Sequence, residues 1–177
     1  MHFGAETRKQ YIQELAQRLN RHELEARIVA MAATVGHEEF REQAARDIVA
    51  AAGPGDVLPE IYVGYRPMVE DGIRFLISRL PISRIAELIA DQARAAADAS
   101  AGERLLMLAR RLATLHKLGQ MIARNRHLDP GFRKWLIALE NSPCTVPMAE
   151  VTERIAAALG EDRLRFDVAV DPGPIAE

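Results

Sequence analysis

The stretch GERLLMLARRLATLHKLGQMIARNR, residues 102–126, decides the fold class. Leu105, Leu108, Leu112, Leu115, Gly119 and Ile122 follow one another in steps of 3, 4, 3, 4 and 3 residues. That is the heptad spacing of closely paired helices, not the alternation of a strand. The stretch therefore predicts one long helix over Gly102–Arg126. Gly119 is the anomaly, because glycine inside a helix costs about 1 kcal/mol relative to alanine. Placed in an apolar seam, it lets another backbone approach closely. At about 100° per residue, Lys117, Gln120, Arg124 and His127 fall together opposite Leu115 and Ile122. This polar ridge reads either as a solvated helix face or as a surface presented to a partner. In the second case Lys117 is a directional cation and Gln120 an amide donor and acceptor.

Working outward, helical punctuation recurs. Tyr11, Ile12, Leu15 and Leu19 predict a helix over Thr7–Leu19, and Leu24, Ile28, Val29 and Met31 a second over His22–Thr34, closed by Gly36. A third spans His37–Ala52 and stops at the Gly-Pro-Gly of positions 53–55. VLPEIYVGYRP reads as irregular or a turn. PMVEDGIRFLISRL follows as a helix with Met68, Ile73, Leu76 and Ile77 on its apolar face, and Pro81 opens another over Ile82, Ile85, Leu88 and Ile89. Ser100–Gly102 break it. Asp129 as N-cap and Pro130 at the first helical position open a helix with Phe132, Trp135, Leu136 and Leu139 apolar. SPCTVP is a linker, and a last helix runs from Pro147 to Gly160. Leu164, Phe166, Val168 and Val170 then alternate as in a short strand, before a turn in DPGPIAE. The expectation is an all-α bundle of about seven helices with a short C-terminal strand or extended tail. Its parts are a three-helix unit at 1–55, a helical section at 56–160 and a strand-like segment at 161–177.

Composition agrees. The 177 residues are 49% apolar but only 5% aromatic, rich in alanine, leucine, arginine and glutamate, which lose little freedom in helices. The formal net charge is -2, which disfavours a phosphate-backbone binder and hence nucleic acid. No apolar run reaches the roughly 18 residues that span a bilayer. MHFGAETRKQ lacks an apolar signal core. Cys144 is the only cysteine, so no internal disulfide forms and a reducing, cytoplasmic setting is expected. A nucleophilic Cys144 has no base near it in sequence.

Two short motifs are mimics. His127-Leu128-Asp129 imitates a kinase His-Arg-Asp triplet, but Lys134 stands where the metal-binding asparagine belongs, and Asp129 reads better as a cap. His37-Glu38-Glu39-Phe40-Arg41 lacks the second histidine of a zinc-binding His-Glu-x-x-His. No Gly-x-Gly-x-x-Gly or Walker sequence occurs.

Lys117-Leu118-Gly119-Gln120, followed by ARN, LDP and a helix ending near LENSP, resembles the signature of the UbiB/AarF family of atypical kinase-like proteins. The resemblance includes YRPMVEDGIRFLISRLP at Tyr65–Pro81 and the tail FDVAVDPGPIAE, which is similar to the segment before that family's alanine-rich nucleotide loop. The first 60 residues carry no such resemblance. Two departures stand out. Leu112-Ala113-Thr114-Leu115-His116 replaces a Gly-Pro-containing stretch, so the helix is expected to run straight through, and Leu139-Glu140-Asn141 replaces Leu-Gln-Asp.

The resemblance implies a helical extension that folds over a kinase-like lobe. In it Lys117 would be the gating cation, Gln120 an orienting partner and Gly119 the point of close approach, with Arg124 and His127 as flanking contacts. ATP and Mg would belong to the full-length family, with no cofactor, catalytic residue or metal in this chain. The lobe itself would follow the last residue and would be the first partner. The pathway implied is ubiquinone or related isoprenoid-quinone synthesis, with quinone-pathway proteins or a peripheral inner-membrane location as further associations. The competing reading is a self-contained helical module that binds a protein, a membrane face or a second copy of itself, with GIRFLISRL as the amphipathic element.

Overall fold

The computed structural model describes residues 5–140 and 148–169. Among these the chain is all-α, with nine helices of 11 residues or more, one four-residue helical turn and two 3-10 turns. The helices are α1 (Ala5–Arg18), α2 (Arg21–Val35), α3 (His37–Ala52), α4 (Arg66–Ser78), α5 (Ile82–Ala93), α6 (Ala101–Arg111), α7 (Ala113–Ala123), α8 (Pro130–Glu140), α9 (Met148–Leu159) and the short α10 (Asp162–Arg165). The 3-10 turn Glu60–Tyr65 lies in the VLPEIYVGYRP stretch expected to be irregular or a turn, and the 3-10 turn Pro54–Val57 follows the Gly53 end of α3. The SPCTVP linker, Cys144, Pro147 and the DPGPIAE tail lie outside the described residues.

Local chemistry sets the helix ends. Asn20 caps α2 through a reciprocal box in which its Oδ1 accepts the Glu23 amide at 3.0 Å and Glu23 Oε2 accepts the Asn20 amide at 2.8 Å. Ser100 and Glu103 repeat the device at α6. Gly53 ends α3 in the left-handed conformation, φ 57°, so any other residue would be strained there.

The core is organised around α5, which is buried on two sides. Ile85 and Leu88 join Ala45 and Ile48 of α3, Ile77 of α4 and Leu108 of α6 in the larger cluster. Ala86 and Ala90, fully buried, join Leu24 and Ile28 of α2 in the smaller one. Side chains from both sides of residue 55 meet in the larger cluster.

A ladder of charges edges this packing. Arg84 Nη1 lies 2.7 Å from Glu87, Arg111 Nε 2.9 Å from Asp91, and Arg21 Nη2 2.8 Å from the other Asp91 oxygen, while Arg21 Nε bonds Glu25 at 2.8 Å. The ladder ties α2, α5 and α6 together. Burial works against the Arg21 guanidinium, but Asp91 and Glu25 outweigh it and hold its pKa above the ordinary arginine value.

Three expectations are corrected. The single helix over Gly102–Arg126 is two helices, broken at Leu112 with φ -113° and ψ 91°. Leu112 ends one ladder by donating to Leu108 O at 3.0 Å and starts the next by accepting from His116 at 3.0 Å. Its side chain stays in the larger cluster while α7 swings away to pack on α8, so burial overrides local helix preference. The strand expected at Leu164–Val170 is helix and turn through Asp167, and no strand forms in the two further described residues. Its backbone closes on itself. The Val168 amide donates to Arg163 O at 2.9 Å across Asp167 at φ 49°, a Schellman ending that satisfies a carbonyl an unpaired strand would leave bare. Met68, expected on the apolar face of α4, points to solvent, whereas Ile73 and Ile77 are buried.

Truncating fully buried Leu108 to alanine removes packing at the junction of three helices. Leu108→Ala is expected to cost about 2–5 kcal/mol in urea unfolding. Asp91→Ala strands two guanidiniums that remain partly solvated, and about 1–2 kcal/mol is expected. Glu103 sits below its ordinary carboxyl pKa because the Ser100 amide and then the Ser100 hydroxyl donate to it. Its contribution is therefore complete above the unfolded carboxyl value and fades as pH falls through the lower folded value. Glu103→Gln should flatten the acid limb of a stability–pH profile, and an unchanged limb would remove the carboxylate from that role.

Candidate functional site

Helices α7 and α8 form a hairpin whose turn is stitched by local hydrogen bonds. The Asn125 amide donates to Ile122 O at 2.9 Å, and Asn125 Oδ1 accepts the His127 amide at 3.0 Å. Asp129 then caps α8, with Oδ1 accepting the Phe132 amide at 2.8 Å. The Asp129 amide donates to the Tyr62 hydroxyl at 3.1 Å, fixing the hairpin to the second 3-10 turn. Arg133 Nε donates to Ala123 O at 2.9 Å, closing an orphan carbonyl at the end of α7.

An aromatic row anchors α8. Phe132 and Trp135 stack with ring centroids 5.9 Å apart, and Tyr62 packs against Phe132 at 6.2 Å. Trp135 reaches the larger core cluster and lies over Gly102, where a Cβ would come within 3.3 Å of its indole nitrogen.

On this hairpin the motif residues separate by role. Lys117 is exposed and, within the described residues, makes no hydrogen bond or ion pair. Gly119 is buried on the opposite side of α7. Gln120 is half-buried, and its Nε2 lies 3.3 Å from His116 Nε2. The two side chains sit one turn apart on the same helix, i and i+4. That contact fixes the amide one turn from Lys117. Arg124 is the exposed C-cap of α7, but His127 lies beyond the helix in the turn, so the ridge is shorter than the long helix implied. Lys117, Gln120 and Arg124 share a helical face, and His127 does not.

The heptad seam also changes after the break. Leu105, Leu108 and Leu112 are buried, yet Ile122 is exposed, and Gly119 and Ala123 are the buried positions of α7. Leu118, Met121 and Ile122 form an exposed apolar strip, with Met121 62% exposed. Sequence reasoning missed this strip, because it placed Ile122 in the buried seam and followed only the polar residues of the opposite face. It also missed a concentration of charge. Between 110 and 134 the chain has seven arginine or lysine residues and one acid, Asp129, although the whole molecule carries -2. Counting by segment instead of by chain reveals it.

The two mimics take structural places. The Asp129 carboxylate is engaged as a helix cap, and His37, Glu38 and Arg41 lie in the first turns of α3. Among the described residues no three His, Cys, Asp or Glu side chains gather as a metal would need. No family model, curated protein or solved structure matches the chain.

Lys117→Ala should leave the unfolding midpoint within about 0.5 kcal/mol of the parent, since an exposed and unpartnered side chain is removed. Asp129→Ala should cost about 0.5–2 kcal/mol through loss of the cap. Paired urea titrations followed by circular dichroism measure both, and a larger loss for Lys117→Ala would assign the lysine to the fold.

Proposed function

We propose that the chain is the regulatory helical extension of a UbiB/AarF-type atypical kinase-like ATPase, inactive by itself and lying over the active site of the kinase-like lobe. The reading starts from the resemblance carried by Lys117, Gly119 and Gln120. The observation that carries it furthest is the unpartnered Lys117 ammonium beside the uncovered apolar strip of Leu118, Met121 and Ile122, on a hairpin held by caps and aromatic packing.

An ammonium on a firm helix is suited to act as a point charge toward phosphate oxygens, and an adjacent apolar strip excludes water as two surfaces close. The local excess of arginine and lysine favours the approach of an anionic site. Phosphoryl transfer also needs a phosphate-cradling backbone, a catalytic aspartate and metal-binding groups, which the proposal assigns to the lobe along with ATP and Mg. Work in isoprenoid-quinone synthesis at the cytoplasmic side of a membrane belongs to the same proposal. Among the described residues no helix is long and apolar enough to cross a membrane.

The test joins the chain to the kinase-like lobe of a UbiB/AarF protein and follows ATP hydrolysis and phosphoryl transfer. Lys117→Ala should shift the balance between the two by about tenfold or more while helix content stays constant. Calorimetry should find no ATP binding to the chain alone. Unchanged nucleotide chemistry in the joined Lys117→Ala variant would defeat the gating role.

A further inference from the structure

Helix α4 buries Ile73 and Ile77 and leaves its other side uncovered. On that side Met68 and Phe75 are 66% and 59% exposed, and Asp71 and Gly72 lie between them, also exposed. Gly72 sits in the helix interior, where glycine costs about 1 kcal/mol relative to alanine. A Cβ at this position would meet no atom of the chain within 4 Å. Packing within the chain thus gives no reason for a glycine here, whereas a surface approaching from outside does.

The charges on this side are balanced. Arg74 Nη2 pairs with Asp71 at 2.9 Å, and the Arg79 guanidinium stands 5.2 Å from the centroid of the Phe75 ring. Arg66 is engaged by Glu70 at 2.9 Å and Asp56 at 2.6 Å. An anionic bilayer would favour a net cationic rim around the apolar centre. A base and an acid three residues apart instead complement their own image across a two-fold axis.

We propose that a second copy of this chain covers this face, with α4 lying antiparallel on α4 across a two-fold axis that passes between Asp71 and Gly72. Positions 68 and 75 are equidistant from that point. Met68 of each copy therefore meets Phe75 of the other, a thioether-on-ring contact made twice. Each Asp71 carboxylate comes between its own Arg74 and that of the other copy. The open space at Gly72 admits the facing helix, and exposed Tyr65 extends the apolar strip. The α7–α8 hairpin takes no part, so this association stands apart from the gating proposal.

Sedimentation velocity over a concentration series tests it. The chain should show a monomer–dimer equilibrium, and Phe75→Glu should weaken it by about tenfold or more without loss of helix signal. Asp71→Arg should weaken it too, and adding Arg74→Asp should restore it. In a Cys144→Ser background, Gly72→Cys should cross-link as a dimer on mild oxidation, while Gln10→Cys on α1 should not. A monomer at every concentration reached, or a dimer indifferent to Phe75→Glu, would overturn the proposal. So would flotation with phosphatidylcholine–phosphatidylglycerol vesicles that Phe75→Glu abolishes while the free chain stays monomeric, since the face would then belong to lipid.

Discussion

The bundle depends on the two-sided burial of α5. Its branched residues Ile85 and Leu88 serve the cluster shared with α3, α4 and α6, and its alanines at 86 and 90 serve the one shared with α2. Alanine ends at Cβ, so α2 approaches closely enough for Leu24 and Ile28 to become fully buried. A larger residue at 86 or 90 would push α2 outward and loosen the contacts that α1 makes through Ile12 and Leu15. Placement of the first two helices thus follows from two methyl-sized side chains in the middle of the chain.

Polar interactions refine that packing without replacing it. The ladder from Arg84 through Glu87, Arg111 and Asp91 to Arg21 runs along the edge of α5, where the groups keep part of their hydration. Such pairs add modest stability but fix rotation and register, because Asp91 reaches both Arg21 and Arg111 only when α2 and α6 flank α5 correctly. Arg66 fixes the other side of the molecule similarly. Its hydrogen bond to Glu70, then the nearby Asp56, raises its pKa above the ordinary value and draws the first 3-10 turn against α4.

Much of this was legible in the sequence. The span His37–Ala52 coincides with α3, the Gly36 and Gly53 ends are as expected, and Asp129–Pro130 opens α8. These features are written by local chemistry, through helical periodicity, capping side chains and glycine at positive φ. The misses share a different cause. The break at Leu112 carries no glycine or proline, and it exists because two packing demands, one on Leu112 and one on α7, point in different directions. Alternation at Leu164–Val170 promised a strand, but a strand needs an edge to pair with, and the described segment closes its own hydrogen bonds instead. Of the site, the positions of Lys117 and Gln120 on one face were readable. The exposure of Ile122 was not, because the expected seam ran through it, whereas α7 buries Gly119 and Ala123 instead.

That break also divides the molecule mechanically. A continuous helix would carry one unbroken ladder of hydrogen bonds from Ser100 into the motif, so that fraying at one end would be resisted along its whole length. Two ladders meeting at Leu112 leave α7 and α8 held to the body by contacts that include Leu115, Trp135 and the Tyr62 hydroxyl. The hydrogen-bond ladder of α7 is therefore separate from that of α6, and fraying in one is not transmitted along the backbone to the other. The direction in which the segment bearing Lys117 leaves the core is thus set at one buried residue, Leu112.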